Sequence, residues 1–254
     1  MEGDPVRPTA ATAATEDYTK AIYSLTLANS RSATTSDLAT RLRLTPGSVS
    51  GMLHKLSEEG LVEHPPYQGV RLTERGERVA LAVMRRHRLL ETFLAEVLDM
   101  PWDKVHDEAE VLEHALSEEL VELIARKLGD PAVDPHGDPI PTRDLVLVEP
   151  PTRSLADLEP GSSGIFTRVS DSDPRMLVYL ADCGITIGDV LTLVARQPFD
   201  GPYQVLIRGR ELSLGLPLVR RMRISTDQPT VAPEHSDLSS HAVRRTSHEA
   251  GAHA

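Results

Sequence analysis

Cysteine occurs once in the 254 residues, at Cys183, so neither a disulfide framework nor a CxxC zinc site is available, as expected in a reducing cytosol. No run of about 18 apolar residues appears, and Met1 to Ala14 lacks the charged and apolar regions of a signal peptide. These absences predict a soluble, cytoplasmic protein with no membrane partner. Positive charge is also in deficit, at a formal net charge of -11, which taken alone disfavours a nucleic-acid partner. Its distribution reverses that reading. From Tyr18 to Arg88 eleven Lys or Arg face six Asp or Glu, a surplus of five positive charges. From Leu89 to Pro150 four basic residues face sixteen acids, a surplus of twelve negative charges. Such a split predicts that the first segment meets an anionic partner and the next holds cations.

The length leaves room for two or three small domains. Residues 1–14 and 227–254 lack apolar periodicity and read as disordered tails. Between them the expected units are 15–80, a helix-turn-helix with a hairpin; 81–145, a helical, strongly acidic domain; 146–153, a linker; and 154–226, a small β-barrel. The fold class is therefore mainly α with a small β-barrel. Asp130 to Pro141, with four prolines, reads as a loop ending the helical region.

Tyr18, Ala21, Ile22 and Leu25 follow amphipathic helical spacing, with Thr15 as the predicted N-cap. Ser36 is the predicted cap of a short helix carrying Leu38, Ala39 and Leu42, and Leu44 to Pro46 form a turn. A second helix from Ser48 to Glu59 points Val49, Met52, Leu53 and Leu56 inward. The hairpin Leu61 to His64 and Val70 to Leu72 follows, then Thr73 and Gly76 opening a new helix. This order is that of a winged helix-turn-helix. Thr45, Pro46, Ser48 and Ser50 would lie near base edges and phosphates, while Arg41, Arg43, Lys55 and the wing at Tyr67 and Gln68 would meet the DNA backbone. A helical protein-interaction module is the alternative.

Two long helices are expected next, Thr73 to Leu98 and Pro101 to Lys127, pairing in a homodimer that would mirror a palindromic operator. On the second, His106, Glu110, Glu113 and His114 stand at i, i+4, i+7 and i+8, one face of a helix with ~3.6 residues per turn. His87 and Glu91 on the first are four apart and can face the same gap. Imidazole and carboxylate suit divalent Mn, Fe, Co, Ni or Zn, whereas a solvated acidic face is the plain alternative. A metallohydrolase would use the same cluster, but no nucleophile or oxyanion donor accompanies it, so no enzymatic activity is expected.

The stretches TEDYTKAIY (15–23), LTPGSVSGMLHKLSEEGLV (44–62), RLTERGERVALAVMRRHRLLETFL (71–94) and KVHDEAEVLEHALSEEL (104–120) are similar to the diphtheria toxin repressor family of metal-dependent regulators. The resemblance covers about residues 15–145, and more loosely the barrel, which resembles the family's SH3-like third domain. It implies a primary metal site of Asp17, Glu110, Glu113 and His114 and an ancillary site of His87, Glu91 and His106. Iron-type members carry Met and Cys where this chain has Asp17 and Glu110; manganese-type members carry Asp and Glu. All-oxygen and imidazole donors let hard Mn(II) compete where sulfur donors favour softer metals. The resemblance thus implies a Mn(II)-sensing, operator-binding repressor of metal-uptake genes. An iron-dependent repressor of the same family and a winged-helix regulator of a non-metal ligand are the alternatives. Lys20 stands where some two-domain manganese regulators have a metal-bridging Glu. The third domain's ligands would fall on Asp171 or Asp173.

Overall fold

The computed structural model describes residues 11–65 and 68–226. The predicted tail 227–254 and the wing residue Tyr67 lie outside them. Helix α1 (Ala13–Asn29) starts earlier than expected, because Thr12, not Thr15, caps it, accepting from Thr15 N. Residues 13–14 are thus helical, a correction to the predicted tail. Thr15 is itself buried, its hydroxyl 3.0 Å from that of Thr12.

Helix α2 (Thr35–Leu42) is capped by Thr34 rather than Ser36, in a capping box with Asp37. Arg43 turns the chain in the left-handed region, and α3 (Pro46–Glu58) begins two residues before the expected start, with Thr45 as cap and Pro46 in the first turn. Ile22, Leu38, Val49, Leu53 and Leu56 are fully buried in one core joining the three helices. The wing is a minimal antiparallel pair, β1 (Val62–Glu63) with β2 (Arg71–Leu72). A bridge from Ala33 to Val70 ties the wing to the α1–α2 connection.

Thr73 caps α4 (Glu74–Leu98), accepting from Gly76 N. The Thr-x-x-Gly signature has a steric cause: a Cβ at Gly76 would sit 2.0 Å from the Leu61 carbonyl oxygen. Gly76→Ala should therefore destabilise the winged domain by about 2–4 kcal/mol despite the better helix propensity of alanine, read as a drop in thermal midpoint. An unchanged midpoint would mean that the wing does not rest on this contact.

The predicted long helix Pro101–Lys127 is in fact two, α5 (Val105–Leu112) and α6 (Glu118–Lys127). Ser117 caps α6, accepting from Leu120 N, with Glu118 and Glu119 in its first turn. That cap, followed by acids, is a helix start embedded in a continuous apolar period. Consequently Glu113 ends α5 and His114 lies in the turn between the helices.

The expected loop Asp130–Pro141 is firmly built. Asp134 Oδ1 accepts from the backbone of His136 (2.8 Å) and Asp138 (2.9 Å), and Val133 bridges Pro139. Asp134 and His136 are buried.

The C-terminal unit holds six strands: β3 (Arg153–Ser154), β4 (Ser163–Val169), β5 (Val190–Arg196), β6 (Tyr203–Ile207), β7 (Arg210–Leu214) and β8 (Met222–Ser225). They form one antiparallel sheet in the order β3-β8-β4-β5-β6-β7. Helix α8 (Leu216–Val219) immediately precedes β8. Register shifts in β4 and β5 bend the sheet around a core that includes Phe166, Leu191, Leu193, Val205 and Met222. Helix α7 (Pro174–Asp182) adds Leu177 and Leu180. Trp102, from the α4–α5 connection, packs against this core. Val169 N donates to His136 O at 2.9 Å, and a Cβ at Gly137 would meet Thr167 O at 1.8 Å. The 134–140 segment is thereby pressed onto β4, with Asp171 just beyond that strand.

Candidate metal centre

Helix α1 and the end of α5 bring three donors together. Asp17 Oδ1 lies 3.0 Å and Glu113 Oε1 3.5 Å from His114 Nε2, and one donor atom from each residue lies within 4.8 Å of the others. Glu113 is fully buried, whereas Asp17 is partly open to solvent. Burial holds the Asp17 carboxyl above its usual range, with Glu113 and Glu110 adding to the rise and His114 and Lys20 opposing it. Crowded carboxylates with one imidazole form a donor set that a divalent cation relieves.

Glu110, grouped with these three by sequence, stands apart. Its Oε1 is 2.8 Å from Lys20 Nζ, 3.8 Å from His106 Nε2 and 3.9 Å from His87 Nδ1. Lys20 also donates to Glu113 Oε1 at 2.6 Å. Burial alone would lower the pKa of this ammonium, but Glu113 and Glu110 outweigh it and raise it. Lys20, which stands where some family members have a Glu, is thus a partly buried cation between two carboxylates.

A second group surrounds Glu91. His87 Nε2 and His106 Nδ1 lie 3.0 and 3.2 Å from Glu91 Oε1, and 3.1 Å from each other. Asp171 Oδ2, from the C-terminal unit, is 2.9 Å from His106 Nδ1. The four residues offer donors within 4.8 Å of one another. Burial works against a charged His106, yet Asp171 and Glu91 raise its pKa to about 10. Glu91 is nearly inaccessible; burial raises its carboxyl, but His106 and His87 more than compensate and hold it well below the usual range. Glu113 links the two groups, its Oε2 lying 2.6 Å from His87 Nδ1. Asp173, the other predicted third-domain donor, instead caps α7 and pairs with Arg175.

Sequence reasoning missed Asp134 and His136, which join Glu91 in a further buried donor group. His136 Nε2 lies 2.7 Å from the Trp102 carbonyl oxygen and must donate to it, because a carbonyl only accepts. In the neutral ring Nδ1 is then a bare lone pair. It is buried without a hydrogen-bond partner, 3.8 Å from Glu91 Oε1. An orphaned imidazole nitrogen beside two buried carboxyls fits a metal ligand. Burial, with Asp138 and Glu91 nearby, pushes the Asp134 carboxyl well above its usual range. The signal in the sequence was DPHGD inside a proline-rich stretch, where loop composition concealed ordered backbone.

In the winged unit, Arg41, Arg43, Thr45, Pro46, Ser48, Ser50, Lys55 and Gln68 are exposed, and Arg41 also lines the cavity shared with His87, Glu91 and His106. Thr45 and Ser48 hydroxyls bond each other at the start of α3, and Ser50 Oγ donates to Pro46 O. Gly51, in mid-helix, would meet nothing within 4 Å if given a Cβ, so another surface can approach its backbone closely.

Helices α4, α5 and α6 leave an apolar groove of roughly 420 Å³. Leu98, Leu112, Leu120 and Leu123 stand 38–57% exposed along it, above Leu90, Phe93 and Leu94. No helix among the described residues is long and apolar enough to cross a membrane, so the groove is not explained by a spanning segment.

Residues 11–70 match the family described as the iron dependent repressor, N-terminal DNA binding domain, residues 73–142 its metal binding and dimerisation domain, and residues 153–226 the FeoA domain. The iron-dependent repressor IdeR of Mycobacterium tuberculosis is 38% identical over 104 residues, 41% of this chain and 45% of that protein. The alignment thus spans less than half the length of the mycobacterial relative. The diphtheria toxin repressor of Corynebacterium efficiens is 32% identical over 63% of this chain and 74% of its own length. A solved structure titled a manganese-dependent transcriptional repressor in complex with manganese is 44% identical, with a TM-score of 0.76, over 83% of this chain and 98% of that one. With all three regions matched in order and the helical and barrel units both reproduced, the chain belongs to the diphtheria toxin repressor family of metal-dependent transcriptional regulators.

Proposed function

We propose that the protein is a homodimeric, metal-dependent repressor whose operator affinity is set by Mn(II) held between α1 and the end of α5. The observation that carries this reading is the meeting of Asp17 with Glu113 and His114 within 4.8 Å. Asp17 lies on α1, whose Tyr18, Ala21 and Ile22 belong to the core of the winged unit. The other two donors belong to the helical unit. A divalent ion supplies a shared positive charge that ties the two together. Asp17, Glu113 and His114 would hold it, and Glu110, paired with Lys20 and grouped with His87 and Glu113, would join as a fourth donor on release from that ammonium. Fixing α1 relative to α4 and α5 selects one orientation of α3, and thereby of the face bearing Thr45, Pro46, Ser48 and Ser50, together with Arg41, Arg43, Lys55 and the wing at Tyr67 and Gln68, on double-stranded operator DNA.

His87, Glu91 and His106, with Asp171 and with Asp134 and His136 beyond Glu91, would hold an ancillary ion. Three of these six residues lie outside the helical pair, so through a shared ion they would join the barrel and the 134–140 segment to α4. The apolar groove supplies the dimer contact, in keeping with a two-fold operator.

Mn(II) is favoured over Fe(II) by donor chemistry: every residue in both groups presents oxygen or imidazole nitrogen, and Cys183 lies in the C-terminal unit, after α7. The manganese-dependent structural relative agrees, whereas the mycobacterial relative is iron-dependent by name. Asp17→Met combined with Glu110→Cys should move activation from Mn(II) toward Fe(II) or Co(II), read as the metal concentration at half-maximal operator binding. An unshifted order of metals would contradict the donor-softness argument.

A further inference from the structure

We propose that Glu16 is a positioning residue that fixes the ring of His114, locking its Nδ1–H so that Nε2 is the nitrogen presented to the metal. The inference rests on the assignment of His114 as a ligand. Glu16 and Asp17 are consecutive on α1 and grip opposite edges of one imidazole. Glu16 Oε2 is 2.6 Å from Nδ1, and Asp17 Oδ1 is 3.0 Å from Nε2. The other oxygen of Glu16 is engaged as well: Oε1 accepts from Arg86 Nη2 at 2.5 Å. The Arg86 head also reaches Glu118 Oε1 at 3.4 Å, so residues of α1, α4 and α6 meet around the ring. Glu16 and Arg86 side chains are only 12% and 11% exposed, which shields the chain from exchange with water.

The logic is one of donors and acceptors. Both partners of Glu16 donate, Arg86 without alternative, because a guanidinium has no acceptor. A carboxylate answers both with its two oxygens. Nδ1 is thereby held as the donor, and Nε2, facing Asp17 and Glu113, is the nitrogen left to give its lone pair to a cation. An amide cannot do the same work. In Glu16→Gln, one oxygen and one NH₂ replace the two acceptors; if the oxygen stays with Arg86, the NH₂ faces Nδ1 and turns the ring to its Nε2–H form. That form cannot ligate through Nε2.

The test uses full-length protein. In ¹⁵N-edited NMR of the wild type freed of metal, His114 should carry a proton on Nδ1 shifted downfield by the short hydrogen bond, and Glu16→Gln should lose that signal. Mn(II) affinity at this position should fall 10- to 100-fold in the variant, with Asp17→Ala measured alongside. A wild-type His114 with a bare Nδ1, or a folded Glu16→Gln variant binding Mn(II) within twofold of wild type while Asp17→Ala fails to bind, overturns the role of Glu16 alone. Undiminished binding by Asp17→Ala would instead overturn the assignment of the site. A purely structural part for Glu16 would lower the thermal midpoint and leave the Nδ1 proton in place. Should the variant fail to fold, the wild-type Nδ1 signal still decides.

Discussion

Asp17→Ala and His114→Ala should each abolish manganese-stimulated operator binding while leaving a folded dimer. Asp17 is 40% exposed at its side chain, and its polar contact is with His114, so its truncation leaves no buried group stranded. His114→Ala keeps Glu16 paired with Arg86. Neither change touches the cores of the winged or helical units. What disappears is the link between α1 and the residues after α5. Coupling of about 1–3 kcal/mol per site corresponds to a 5- to 150-fold change in DNA affinity, compounded over two subunits. The measurement is fluorescence anisotropy of a labelled operator with and without Mn(II), with sedimentation to verify the dimer. Retained stimulation in both variants would place the switch elsewhere.

The groove between α4, α5 and α6 carries the second large effect. Leu120→Glu with Leu123→Glu should convert the dimer to a monomer, because each places a charge in an apolar contact that has no partner for it. Both side chains are about half exposed in the single chain, so the monomer should stay folded. Operator affinity should fall about 10²- to 10⁴-fold as the two half-sites are no longer engaged together. Mn(II) binding should survive, since no groove residue belongs to either donor group. A double variant that remains dimeric would move the interface to another face.

Much of this arrangement was legible in the sequence, for reasons that differ from element to element. The winged unit announced itself through local signals: amphipathic spacing in α1, α2 and α3, Pro46 at a helix start, and Thr73 with Gly76. Cap positions were misplaced by two or three residues because Thr12, Thr15, Thr34 and Ser36 are all competent caps, and tertiary burial decides among them. Thr15 is buried, and Thr34 finds Asp37 to complete its box. The α5–α6 break was hidden because Leu112, Leu116 and Leu120 continue an unbroken period across it. These leucines line the apolar groove rather than one helix's own core.

The candidate site was legible where its donors share a helix and obscure where they do not. His87 and Glu91 are one turn apart, and Glu113 and His114 came with His106 and Glu110 through helical spacing, whereas Asp17 came through family resemblance. The side chains around them were invisible to spacing. Lys20 between Glu110 and Glu113, Glu16 behind His114, and His136 with its orphaned Nδ1 depend on contacts 90, 93, 98 and 45 residues apart in sequence. Asp134 and His136 were further masked by prolines, which signal a loop but not whether its backbone is pinned. Here Asp134 Oδ1 and the edge of β4 pin it.

The central claim, that a divalent ion joining α1 to the end of α5 sets operator affinity, is met most directly by one titration. Anisotropy of a palindromic promoter fragment is followed as Mn(II), Fe(II), Co(II) and Zn(II) are added in turn to full-length protein and to Asp17→Ala. The account predicts saturable tightening by Mn(II) at the lowest concentration among the first three, absent in Asp17→Ala. DNA affinity that stays flat through every metal, or that rises equally in Asp17→Ala, would contradict it.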